Sequence, residues 1–192
     1  MVSLRPDLKS FLAALLLAFA GMAWVSAPAT AQGAADAEAE LLRQLREASP
    51  ETWRQIEDRV YRHWSRSGSP SMDLLLSRGR EALEAEDPAL AVEHFTALTD
   101  HAPDFAEGYH LRATAYYQLD LYGPAIADLG RALTLNPNHF GAMTGLAVLL
   151  EETGEPLRAL EVFRMAATIH PQRPDVSEAI ERLAAQLADV DI

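Results

Sequence analysis

The stretch GYHLRATAYYQLDLYGPAIADLGRALTLNP, residues 108–137, decides the fold. Tyr109, Arg112, Ala113 and Tyr116 fall at i, i+3, i+4 and i+7, the spacing of one helical face. Ala125, Leu129 and Ala132 mark a second helix that stops before Pro137. The same series recurs 34 residues earlier as Leu75, Arg78, Gly79 and Ala82, then Ala91, Phe95, Leu98 and Pro103. It recurs 34 residues later as Met143, Leu146, Ala147 and Leu150, then Ala159, Phe163, Ala166 and Pro171. A fixed period of this length predicts helix–turn–helix units stacked into a solenoid. Small residues stay in step at Gly79, Ala113 and Ala147, and at Ala91, Ala125 and Ala159, where crossing helices must approach closely.

An aromatic or apolar residue, a small residue, Tyr116, an Ala with Phe or Leu, and a closing Pro together resemble the tetratricopeptide repeat. The resemblance covers residues 72–171. It implies an all-α solenoid of three repeats: 72–105, 106–139 and 140–173. Leu75 and Met143 stand where the family has its first aromatic, and Leu129 where it has phenylalanine, all swaps among apolar residues. Residues 174–192 read as a closing amphipathic helix and tail, with Val176, Ile180, Leu183 and Leu187 inward.

Residues 32–71 read as an N-terminal helical cap pair and linker. Ala34 to Ala48 and Pro50 to Trp64 are predicted helices, followed by a Ser-rich loop. Trp53, Ile56, Val60 and Trp64 form one stripe, expected to cover the open end of the first repeat, since solenoid ends need covering. The alternative is an exposed aromatic docking face, and a homodimer through Trp53 and Trp64 is the corresponding expectation.

Residues 1–31 differ in kind. Arg5 and Lys9 precede an apolar run from Phe11 to Val25, and Ala29-Thr30-Ala31 supplies an A-x-A site. This predicts a cleavable signal peptide, hence export to a bacterial periplasm with no stable membrane insertion afterwards. The run is short of the roughly 20 residues that an anchor helix needs. With no cysteine in the chain, lipoprotein attachment, disulfides and thiolate chemistry are excluded.

The formal charge of −12, or −13 once Arg5, Lys9 and Asp7 leave with the leader, argues against nucleic acid as a partner. Charge is unevenly placed: residues 41–80 hold eight arginines and five carboxylates, residues 81–192 six and nineteen. Arg54, Arg59, Arg62 and Arg66 are therefore candidates to pair with the acidic repeats, the alternatives being that the acidic repeats attract a basic segment of a partner or that both faces are simply solvated.

No HExxH pair, nucleophile elbow or phosphate-binding glycine loop is present, so neither an enzyme nor a cofactor is expected. In the family the first helix of each repeat lines a groove. Carried over by position, the partner-binding groove comprises Leu76, Arg80, Leu83, His110, Thr114, Tyr117, Thr144, Val148 and Glu151. Its mixed character suits a peptide or partner helix. Co-chaperone relatives that grip a heat-shock protein's C-terminal carboxylate need several Lys, Asn and Arg groups there, and Arg80 is the one such group here. A non-catalytic adaptor or scaffold is expected. The alternatives are a periplasmic chaperone or assembly factor and an accessory subunit of a cell-wall hydrolase.

Overall fold

Each repeat begins with a helix that ends in the same way. In the computed structural model, which describes residues 29–190, residues Glu86, Asp120 and Gly154 all adopt left-handed backbone, with φ of 58°, 58° and 83°. In step with them, the N–H of Asp87, Leu121 and Glu155 donates to the carbonyl of Ala82, Tyr116 and Leu150 at 2.8–2.9 Å. This is the helix-ending turn that satisfies otherwise orphaned carbonyls. Glycine fills the position in the third repeat alone, so the first two ends carry the strain of a side chain there.

The helices are α1 (Ala29–Arg46), α2 (Trp53–Trp64), α3 (Pro70–Glu84), α4 (Pro88–His101), α5 (Ala106–Gln118), α6 (Tyr122–Leu135), α7 (Phe140–Glu152), α8 (Pro156–Ile169) and α9 (Pro174–Val190). No strand occurs among the described residues. Asp87 caps α4 by accepting from the Leu90 N–H at 3.1 Å, with Pro88 at the first helical position. The pairs α3/α4, α5/α6 and α7/α8 are the three repeats. Their first helices also contact one another, α3 with α5 and α5 with α7. These first helices form the inner face.

The in-step small residues are the packing points. Ala91, Ala125 and Ala159 are fully buried. The Phe95 ring lies against Gly79 so closely that a Cβ there would be 2.3 Å from it. The closing helix α9 buries Val176 and Leu183 and exposes Glu178, Glu181 and Arg182. Glu151 and Arg182 form an ion pair that ties it to α7.

The N-terminal pair forms but does not sit where the sequence places it. Leu42, Leu45, Val60 and Trp64 belong to the core cluster of the third repeat and α9, with Phe140, Met143, Phe163 and Leu183. The cluster of the first repeat, around Leu76, Phe95 and Leu98, contains no residue of α1 or α2. The stripe has partners on the inner face, and Trp64 keeps 7% of its surface exposed. Trp53 and Ile56 of the stripe stay half-buried. The predicted signal peptide's basic start and apolar run lie outside the described residues. No helix among the described residues is long and apolar enough to cross a membrane.

Candidate functional site

The inner face is laid out by register. Arg80, Thr114 and Val148 occupy one repeat position, His110 and Thr144 another, and Glu107 and Gly141 a third. The scaffold repeats, but what stands on it does not.

At one end, Glu107 opens α5 with its side chain 1% exposed. The Arg80 guanidinium donates to its Oε1 at 2.6 Å, and His139 Nε2 lies 2.9 Å from its Oε2. His139 caps α7: the Ala142 N–H donates to its Nδ1 at 3.1 Å. A neutral ring therefore carries its proton on Nε2 and donates to Glu107. Burial pushes the His139 imidazole below its ordinary 6.5, which favours this neutral form. For Glu107 burial acts the other way and would raise the carboxyl. The histidines His110 and His139 outweigh it and hold the group well below the usual carboxylate range. His110 Nδ1 stands 3.4 Å from the same oxygen, without a hydrogen bond.

Glu107, His110 and His139 place their ligand atoms within 4.8 Å of one another, close enough for a metal ion. The chemistry does not fit one. The Ala142 N–H fixes the His139 proton on the nitrogen that would have to ligate, and Arg80 sets a cation on the remaining carboxylate oxygen. The cluster is a charge-assisted hydrogen-bond network.

Helix α2 closes over it. The Trp64 indole stacks on His139 with centroids 4.4 Å apart, and its N–H donates to Glu38 at 2.8 Å. Asn136, at the end of α6, donates to the same Glu38 oxygen at 3.3 Å. Tyr61 meets Phe140 edge-on at 5.3 Å, and its hydroxyl fills the space over Gly141. A Cβ at Gly141 would lie 2.6 Å from that oxygen, so a side chain there would force the Tyr61 ring to shift. Further along, Trp53 meets His170 edge-on at 5.2 Å, and Glu57 lies 3.4 Å from His170 and 3.9 Å from Arg173.

The other end of the inner face is open. A cavity of about 210 Å³ is lined by His110, Thr114, Tyr117 and Val148 over a floor that includes Ala113, Leu129 and Leu149. Val148 also borders a broader hollow of about 530 Å³ with Thr144, Glu151 and Arg182. The Tyr117 hydroxyl donates to Glu152 at 2.6 Å, and this bond, with some burial, pushes its pKa up to about 12.

Of the nine predicted groove residues, His110, Thr114, Tyr117, Thr144, Val148 and Glu151 line these hollows. Leu76 does not: at 2% exposure it is core, packed with Phe95, Leu98 and Ala115. Leu83 packs against that same cluster, and Arg80 is committed to Glu107 and to the Ser65 hydroxyl at 2.7 Å. The predicted arginine pairing is reversed as well. Among the described residues Arg54, Arg59, Arg62 and Arg66 form no ion pair. The hairpin instead sends carboxylates, Glu38 and Glu57, to the repeats.

Sequence reasoning missed Glu107, His139, Gly141 and Tyr61. Three of them share a signal, because at those register positions the repeats disagree: Glu107 against Gly141, and His139 against Phe105. Tyr61 is not among the Trp53, Ile56, Val60 and Trp64 positions and lies outside the 34-residue period.

These features define a helical-repeat solenoid with a partly covered inner groove. The tetratricopeptide repeat model matches residues 76–123 and 110–174, and the chain belongs to that family. It is similar to a TPR repeat-containing protein of Rhizobium etli, 29% identical over 78% of this chain and 74% of that protein. Among solved structures it resembles the TPR2B domain of yeast Sti1 in complex with an Hsp70 peptide, 26% identical. That likeness covers 62% of this chain and 99% of that one at a TM-score of 0.58. The first TPR of Spaghetti (RPAP3), bound to an HSP90 peptide, shares the fold at 18% identity, covering 61% and 93% of the two chains at a TM-score of 0.59.

Proposed function

We propose that this protein is a non-catalytic adaptor or scaffold of the bacterial periplasm that binds a peptide or helix of a partner protein in its inner groove. The open cavity at His110, Thr114, Tyr117 and Val148 carries the reading, since it joins an apolar floor to a few hydrogen-bonding groups. The Sti1 relative, solved with an Hsp70 peptide, supports a peptide-sized ligand. A heat-shock carboxylate tail is a poor fit, because Arg80 is already neutralised by Glu107. A non-catalytic role agrees with the fate of the clustered titratable groups: Glu107 and His139 lie buried, with Trp64 stacked on the imidazole. The basic start, apolar run and A-x-A site support export.

The test is crosslinking in the native cell. The protein should be recovered from the periplasmic fraction with Gln32 as its first residue. Tyr117→Ala should lose the partner that the unaltered protein retains, with its helical content and thermal midpoint unchanged. Equal capture by both proteins, or suppressed aggregation of many unrelated clients in place of one partner, would contradict the adaptor reading.

A further inference from the structure

The inner face already holds a helix, and that helix shows what the face accepts. Along α2, Trp53, Glu57, Tyr61 and Trp64 fall at i, i+4, i+8 and i+11, a single stripe. Each meets a counterpart on the repeats. Trp53 and Glu57 face His170, Tyr61 faces Phe140, and Trp64 lies flat on His139. The fit extends to backbone level, since the third repeat has Gly141 where the second has Glu107, and the Tyr61 hydroxyl fills that gap. The opposite side of α2 carries Arg59 and Arg62, which make no ion pair with the repeats.

The filled and open parts of the groove are continuous. Gly141, beneath Tyr61, is the neighbour of His110, whose ring would lie 3.3 Å from a Cβ there, and His110 lines the open cavity. A partner helix that extends from the open cavity past His110 therefore runs into the place that α2 holds. The geometry points to α2 as a resident ligand in cis, and to a partner segment of the same chemistry. That segment is an amphipathic helix with two aromatics at i and i+3, a carboxylate one turn before the first, and entry by exchange with α2. This rests on the groove reading above and specifies its ligand. The groove is matched to an aromatic, acidic helical stripe, and its availability is set by how readily α2 leaves.

The probe is a synthetic peptide of residues 50–66 carrying a fluorophore. Its binding is measured by anisotropy to the full exported chain, unaltered and as Trp64→Ala. Loosening α2 should strengthen peptide binding at least tenfold. In the Trp64→Ala background, Gly141→Ala should then weaken it, and a peptide with Tyr61→Phe, which lacks the clashing hydroxyl, should recover it. Equal affinity for unaltered and Trp64→Ala chains, or no recovery by the Phe peptide, overturns the proposal. Should Trp64→Ala fail to fold, hydrogen exchange on the unaltered chain decides. Residues 53–64 should exchange at least tenfold faster than α5–α8, and exchange at the same rate as those helices overturns it. If Tyr117→Ala abolishes partner capture while loosening α2 changes nothing, the groove reading stands and this one falls. If neither matters, both fall.

Discussion

The two ends of the inner face rest on the same repeat positions and have opposite characters. At one end buried Glu107 and His139, with half-buried Arg80, form a charged network beneath Trp64. At the other, Thr114, Tyr117 and Val148, two of them in register with Arg80, border an open cavity. Positions that agree between repeats, such as Ala91, Ala125 and Ala159, build the scaffold and are fully buried. Positions that disagree decide what each part of the face does. A buried carboxylate stabilises little by itself, because desolvation opposes the pairing, but leaving its partners alone is costly. Glu107 reaches α2 through Arg80, which donates to Ser65, and through His139, on which Trp64 stacks.

The largest effect that sets the two ends apart belongs to Glu107→Ala. It strips the buried partner from Arg80 and His139 and should lower unfolding free energy by about 1–3 kcal/mol in urea titrations. Tyr117→Ala at the open end should change it by no more than about 0.5 kcal/mol. Comparable losses at both ends would erase the distinction.

Acid should act next, and at the covered end. Burial holds the folded His139 below 6.5, so the unfolded chain binds the extra proton as pH falls below that value. Stability present above pH 6.5 is thus lost below it, by at most about 1.4 kcal/mol per pH unit for one group. Glu107, held below its ordinary 4.5, adds a second loss once pH drops under 4.5. Urea midpoints across pH should show both declines. His139→Asn, which can still cap α7, should reduce the first and keep the second. An unchanged first decline would mean that His139 does not titrate with folding.

Much of this was legible in the chain. The 34-residue period, the in-step small residues and the closing prolines specify the repeats and their inner helices. The left-handed turn residues were hidden, because Glu86 and Asp120 carry no glycine signature and only Gly154 does. The placement of the hairpin was also hidden. Its contacts join residues far apart in sequence, such as Glu38 with Asn136 and Ala48 with Gln172, and no local pattern encodes them. Leu76 did carry a warning. An apolar side chain in register with His110 and Thr144 belongs to a core, and the structure buries it.

The docking of α2 on the inner face is best tested by nuclear Overhauser contacts in a uniformly labelled sample at low protein concentration. Strong cross-peaks between the Trp64 indole and the rings of His139 and Phe140, arising within one molecule, are the predicted result. Cross-peaks from Trp64 to Leu75 or Met72 of the first repeat, or contacts seen only between molecules, would contradict it.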